Sequence, residues 1–247
     1  MEILINGKTC ACEKGEFLLA IAERNGIKIP TLCHHPGLSE QGCCRLCIVE
    51  VVENERSKVV VSCVYPVEHP CSVLTESKKI KKERGVILAL LKARAPESAL
   101  IKKLCDEYGS YQTARLLSVE GEKCILCGLC TRACKALGTG AISTINRGVT
   151  KKVSTPYEKP SWDCIACTSC AQVCPTEAIP WSQDNEYRFI WGRNFALAKC
   201  FKCGTIIGTK AEILYASQKS GVESEMVCEH CRQKEMADIL AHTYGIE

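Results

Sequence analysis

Long apolar runs are missing from this chain of 247 residues. The longest is VILALL, from Val86 to Leu91, far short of the ~18 residues that a membrane-spanning helix needs. No membrane span is expected. The opening MEILINGK has an acidic residue at position 2, no basic region and no apolar stretch of signal-peptide length, which predicts a cytoplasmic protein without a secretory leader. Histidine is scarce, with five in all and none between His69 and His230. Also missing are a glycine-rich dinucleotide turn, a nucleophile motif and Cys-x2-Cys pairs at the chain ends of the kind that hold a nickel–iron centre. The chain is therefore expected not to be an enzyme by itself. A strong charge of one sign is lacking too: 32 Lys and Arg against 28 Asp and Glu leave a formal +4.

What the chain has instead is cysteine, 21 in all, above the ~8 per cent that signals a disulfide scaffold or a metal protein. In a reducing compartment, recurrence at two- and three-residue spacings points to metal ligation. With the cysteines set aside, the apolar share falls to roughly 38 per cent, below the usual value. Metal binding is thus expected to supply part of the folding energy. Each site of four thiolates holding iron–sulfur or zinc carries about −2, so four such sites would turn the formal +4 to about −4. A nucleic-acid partner is not expected.

The pattern along the chain predicts an α+β protein in four parts: 1–75, 76–117, 118–185 and 186–247. In the first part, EILINGKTCACEKG reads as two strands around an Asn6-Gly7 turn. Phe17, Leu18, Ile21 and Ala22 follow at helical spacing, and Gly26 can close that helix in a left-handed conformation. LCIVEVV and SKVVVSC then read as two more strands joined through ENER. This ββαββ order suggests a β-grasp. The spacing Cys33-x10-Cys44-x2-Cys47-x15-Cys63 supplies three thiolates from one loop and a fourth from the end of a strand, which suits a 2Fe-2S centre. PTLCHHPGLSEQGCCRLCIVEV resembles the 2Fe-2S ferredoxin domain at the N-terminus of the complex I large iron–sulfur subunit and of hydrogenase iron–sulfur subunits. Cys43 is an extra thiol: ligation by it would give x9 and x3 spacing, and the resemblance favours Cys44. His34 and His35 could replace thiolates, or could pack the loop and hydrogen-bond to cluster sulfurs.

SKKIKKERGVILALLKARAPESALIKKLCDEYGSYQTARLL reads as a helical linker of two helices broken at Pro96, with Lys and Arg on a solvated face. In the large-subunit family a second module here holds a 4Fe-4S cluster with one histidine and three cysteines. Only Cys105 is present, so that cluster is expected to be absent.

CILCGLCTRAC places Cys124, Cys127, Cys130 and Cys134 at x2, x2, x3, and CIACTSCAQVCP repeats this with Cys164, Cys167, Cys170 and Cys174, then Pro175. The duplication resembles two-cluster bacterial ferredoxins, in which the fourth cysteine of each motif reaches the other cluster. The resemblance implies one 4Fe-4S cluster on Cys124, Cys127, Cys130 and Cys174 and another on Cys164, Cys167, Cys170 and Cys134. Cys134 lacks the following proline of that pattern. Small or apolar neighbours (Ile125, Leu126, Gly128, Ile165, Ala166, Ala171) would limit water and let backbone amides approach the sulfurs.

EYRFIWGRNFALAKCFKCG reads as a strand running into a knuckle at Cys200 and Cys203, and Cys228 and Cys231 open a helix near Glu229. The two pairs resemble zinc-ribbon and treble-clef sites, and four thiolates suit one zinc. A third 4Fe-4S cluster is the alternative. Cys10, Cys12, Cys43, Cys71 and Cys105 remain, and are expected as buried small hydrophobes.

Over residues 1–75 and about 118–182 the chain resembles the small iron–sulfur subunit of NAD-linked and electron-bifurcating hydrogenases and related formate dehydrogenases. That resemblance implies electron transfer between a flavin-containing, NADH-reactive subunit and a catalytic metal subunit. A free-standing polyferredoxin is the competing reading. A zinc-ribbon nucleic-acid protein would explain residues 199–231 alone.

Overall fold

A computed structural model describes residues 1–53, 56–111, 115–223 and 225–245. By contacts the chain forms two compact units, Met1–Ala133 with Thr144–Val153 and Gln172–Ala178, and Cys134–Ser143 with Ser154–Ala171 and Ile179–Glu247. Each is described by itself.

The first unit begins with strands β1 (Glu2–Ile5) and β2 (Lys8–Ala11), joined by Asn6 and Gly7, both at positive φ as the tight hairpin requires. Helix α1 (Leu18–Arg24) buries Leu18, Leu19, Ile21 and Ala22, and Gly26 beyond it stands at φ +72. Strands β3 (Ile48–Glu53) and β4 (Arg56–Val61) pair antiparallel. Residues 54 and 55, in the expected ENER connection, lie outside the described set. A fifth strand, β5 (Ser72–Leu74), goes beyond the ββαββ expectation. It lies parallel to β1 and antiparallel to β3, giving the order β2-β1-β5-β3-β4. Three residues are too few to show alternation in sequence. In the fold they are fixed by Asn6, whose side-chain amide donates to the Thr75 hydroxyl (2.8 Å) and accepts from the Thr75 amide (3.0 Å). The core between sheet and α1 holds Ile3, Ile5, Val49, Val51 and Val73, with Cys10, Cys12 and Cys71 as small buried hydrophobes.

Two helices follow, α2 (Lys78–Arg94) and α3 (Ala99–Tyr108). Ser77 and Ser98 cap them by accepting from the amides of Ile80 and Ile101, each at 3.3 Å. The break falls at Ala95-Pro96, since a residue before proline avoids the helical region. Leu88, Ala95, Ile101 and Cys105 form a second core with Leu32, Leu46, Ile125 and Leu129. Thus the linker helices pack beneath the cysteine loops instead of standing apart from them. Residues 112–114, in the tail of the expected linker, lie outside the described set.

Helix α4 (Leu129–Leu137) precedes a two-stranded ribbon, β6 (Ser143–Ile145) with β7 (Lys152–Ser154), and α5 is the short segment Ser169–Gln172. In the second unit, β8 (Trp181–Gln183), β9 (Tyr187–Ile190), β10 (Arg193–Lys199) and β11 (Ile206–Thr209) form an antiparallel sheet in the order β11-β10-β9-β8. The single strand expected from EYRFIWGRNFALAK is a hairpin, because Trp191 (φ +53) and Gly192 (φ +73) make a tight turn in its middle. Helix α6 (Lys210–Ser220) starts from a Thr209/Glu212 capping box, and α7 (Glu229–Tyr244) starts at Cys228. No helix of the described residues is long and apolar enough to cross a membrane.

Candidate metal centres

In the first unit the loop after α1 brings Cys33, Cys44, Cys47 and Cys63 together. Cys63 lies in a short 3-10 turn, Ser62–Val64, just past β4. The Cys33 sulfur is in hydrogen-bonding contact with the thiols of Cys43, Cys44 and Cys63, and these contacts hold its pKa far below the ordinary cysteine range. The same contact, with burial, pushes Cys43, Cys44 and Cys63 up. The Cys63 thiol and amide bring Cys47 down to about 6. One thiolate is therefore stabilised at the expense of its neighbours. A multiply charged cation is what lets four ionise together, so the donor set fits a metal centre.

Cys44 is 8% exposed and its sulfur accepts from the amides of Leu46 and Leu32. Cys43, expected as a buried hydrophobe, is exposed, and its thiol donates to the Cys127 carbonyl at 3.2 Å. His34 faces carboxylates, with Nδ1 2.7 Å from Glu40 and Nε2 3.9 Å from Glu23. His35 is turned to the Gly37 amide.

The duplicated motifs have matching backbones. Leu126 (φ +56) and Gly128 (φ +72) in the first loop correspond to Ala166 (φ +58) and Thr168 (φ +59) in the second. Each left-handed residue turns the chain so that amides point back at the sulfurs: Leu126 N to Cys124 Sγ is 3.4 Å, and the Ala166 amide donates likewise to Cys164. Burial raises the pKa of Cys124 and Cys164 and pushes Cys127 and Cys170 up to about 11. Lone thiolates are thus disfavoured in both loops. Cys174, with the Ala178 amide 3.3 Å from its sulfur, belongs to the unit that holds Cys124, Cys127 and Cys130. Cys134, paired with the Thr139 hydroxyl at 3.2 Å, belongs to the unit of Cys164, Cys167 and Cys170. These last four line one pocket with Ile142, Ile190 and Trp191.

Arginines and one tryptophan hold these loops, and sequence patterns did not single them out. Arg84 reaches the carbonyls of Leu46 and Ile48 on either side of Cys47. Arg132 donates to the carbonyls of Cys33 (2.7 Å) and Gly128 (3.3 Å). Arg188 donates to the Ala166 carbonyl at 2.6 Å while paired with Glu212 at 3.1 Å. The Trp191 indole donates to the Cys170 sulfur.

In the C-terminal element the sulfurs of Cys200, Cys203, Cys228 and Cys231 all lie within 4.8 Å of one another, with Cys203 and Cys228 3.5 Å apart. Among the described residues no other set of three or more ligating groups is gathered so tightly. The knuckle closes through Gly204 N to Cys200 O (2.8 Å), with Gly204 at φ +74. The Cys228 amide brings Cys200 down to about 6, and the Thr205 hydroxyl lowers Cys203. Contact with Cys203 and Cys228 pushes Cys231 up to about 12.

Residues 1–78 match the 2Fe-2S iron–sulfur cluster binding domain family, and residues 123–178 match the 4Fe-4S dicluster domain family. NADP-reducing hydrogenase subunit HndD of Solidesulfovibrio fructosivorans is 31% identical over 229 residues, which is 80% of this chain and 38% of the relative. NADPH-Fe(3+) oxidoreductase subunit alpha of Geobacter sulfurreducens is 28% identical over 247 residues, 90% of this chain and 28% of its own. The NADH-ubiquinone oxidoreductase 75 kDa subunit of Reclinomonas americana is 28% identical over 186 residues, covering 64% of this chain and 26% of the relative. The chain thus spans well under half the length of these curated relatives. A chain in the crystal structure of an NAD+-reducing nickel–iron hydrogenase in the H2-reduced state superimposes with a TM-score of 0.61 at 25% identity, over 72% of this chain and 85% of that one.

Proposed function

We propose, for a chain that belongs to the iron–sulfur proteins joining a 2Fe-2S domain to a 4Fe-4S dicluster domain, the role of a non-catalytic electron-transfer subunit. It relays single electrons between a flavin-containing, NAD(P)H-reactive subunit and a catalytic subunit of hydrogenase or formate dehydrogenase type, in an assembly of the electron-bifurcating kind. The observation that carries this reading is the set of twelve thiols in three convergent loops, each fed by backbone amides. Such loops are built to hold iron–sulfur clusters, whose chemistry is one-electron transfer. The named relatives, a hydrogenase subunit and two pyridine-nucleotide oxidoreductase subunits, support the kind of partner.

Cys33, Cys44, Cys47 and Cys63 would hold the 2Fe-2S centre, and burial with two amide donors supports Cys44 over Cys43. Cys124, Cys127, Cys130 and Cys174 would hold one 4Fe-4S cluster, and Cys164, Cys167, Cys170 and Cys134 the other. Cys200, Cys203, Cys228 and Cys231 would hold zinc. A tetrahedral site with Zn–S bonds of about 2.3 Å puts its sulfurs about 3.8 Å apart, whereas the thiolates around a four-iron cube stand about 6 Å apart. The tight C-terminal set supports the first geometry.

Iron, zinc and sulfide quantification with EPR of the reduced protein tests the reading. About ten irons and one zinc per chain are expected. About fourteen irons without zinc would make the last site a cluster, and an iron-free protein would refute the whole reading. Isolation from its source only as a 27.2 kDa species would refute the subunit role in favour of a free-standing polyferredoxin.

A further inference from the structure

Arg84 is the largest fully buried side chain of the described residues, at 1% exposure, and it is a cation. It reaches from the middle of α2 into the loop of the first thiol set. Nε donates to the Leu46 carbonyl (3.4 Å), and Nη2 to the carbonyls of Ile48 (3.1 Å) and Thr75 (3.1 Å). Its carboxylate partner, Glu76 at 3.3 Å, is 49% exposed. The Tyr108 ring stacks 5.3 Å away.

A guanidinium withdrawn this far from water is costly unless strong negative charge lies close by. Three neutral carbonyls and one half-solvated carboxylate offset only part of that cost. Cys47, between the two carbonyls that Arg84 holds, belongs to the proposed 2Fe-2S set. Its sulfur, once ionised, acts electrostatically on the guanidinium. A 2Fe-2S centre with four thiolates carries about −2 when oxidised and about −3 when reduced. A fixed cation beside it therefore favours the state with one more electron.

We propose that Arg84 is the internal counter-charge of the 2Fe-2S centre, a positioning residue that fixes the backbone on both sides of Cys47 and raises the centre's reduction potential. This rests on the 2Fe-2S reading of that thiol set. The reduction is a one-electron step at iron, and Arg84 keeps its protons throughout. By the same logic the linker helices help to set the driving force for electron transfer at that centre, besides bracketing two modules.

The test is an EPR-monitored redox titration of the 2Fe-2S signal in the full holoprotein and in three variants. Arg84→Met should lower the equilibrium constant for reduction about tenfold, which is 59 mV for one electron. Arg84→Lys should recover part of that shift. Glu76→Gln removes the opposing carboxylate at the surface and should move the potential the other way. An Arg84→Met protein with an intact signal and an unchanged potential overturns the proposal. Where that variant fails to assemble the centre, an unshifted or lowered potential in Glu76→Gln overturns it. Lack of any 2Fe-2S signal in the unaltered protein would instead sink the assignment of the thiol set.

Discussion

If Cys200, Cys203, Cys228 and Cys231 hold the proposed zinc, its loss should release α7 while leaving the cysteine loops of Met1–Ala133 in place. None of the sixteen residues of α7 is buried, and Met236, Ile239, Leu240 and Tyr244 are 55, 55, 48 and 73% exposed. Among the described residues from 221 to 245, only Val227 is buried. One buried valine contributes about 1.5–3 kcal/mol. Ordering the backbone costs about 1–2 kcal/mol per residue, and an isolated helix of this length is marginal in water. Apolar burial therefore falls far short of holding the element, whereas structural zinc on thiolates contributes ~10–16 kcal/mol. Cys203→Ala is the informative perturbation, because Cys203 lies in the knuckle and not on the helix and meets the helix end through a sulfur of the same thiol set, Cys228, at 3.5 Å. Hydrogen exchange read by mass spectrometry should show protection of Glu229–Tyr244 falling by several orders of magnitude, at about 1.4 kcal/mol per tenfold. The 2Fe-2S signal should be unchanged. If zinc is gone by analysis and α7 keeps its protection, the metal is not what orders this element.

Two further outcomes are expected. Trp191→Phe removes the indole donor to Cys170, and because a hydrogen bond to a charged sulfur is worth about 1.5–3 kcal/mol, the potential of the 4Fe-4S cluster proposed on Cys164, Cys167, Cys170 and Cys134 should fall by tens of millivolts; potentiometry showing no change would contradict a bond to a ligand of that proposed cluster. Glu16, hydrogen-bonded to Arg24 and to its own loop's Glu13 amide, has its carboxyl held below the ordinary range by the guanidinium. A lowered folded pKa means that its contribution is complete above the unfolded value near ~4.3 and is lost as pH falls through the folded one. The melting difference between the natural protein and Glu16→Gln should therefore be largest at neutral pH and shrink on acidification. A difference that is constant with pH would rule out the ion pair as its source.

The thiol sets were legible because wrapping an inorganic cluster demands fixed short spacings, and no other element of the fold imposes them. The Asn6-Gly7 hairpin, the helix before Gly26 and the break at Pro96 were legible for the same reason: one residue dictates the local backbone. What escaped depends on neighbours distant in sequence. Ser72–Leu74 becomes a central strand through its pairing with β1 and β3, with Asn6 holding Thr75 at its end. Arg84 sits in SKKIKKERG among lysines that face solvent, and nothing local marks it as the buried member. Trp191 read as one more strand residue, although the glycine after it was a usable sign of the turn that aims its indole at Cys170. Cys43 could not be placed by elimination: it is exposed, in a loop with left-handed residues on both sides of it, Gly42 (φ +61) and Arg45 (φ +59).

The chain passes back and forth between its two compact units several times within residues 133–179, and each proposed 4Fe-4S set draws its fourth thiol from the other motif. A cluster bound in this way is a covalent cross-link. On Cys134 and Cys164 it closes a loop of about 30 residues, and on Cys130 and Cys174 one of about 40, constraints of the size a disulfide imposes on an unfolded chain. Oxidative loss of the cluster on Cys130 and Cys174 would then free a long loop that carries all four ligands of the other, Cys134, Cys164, Cys167 and Cys170, so loss of the first centre should take the second with it. Nor can either unit be cut out as one contiguous fragment, which makes this stretch of polypeptide inseparable as a folding unit.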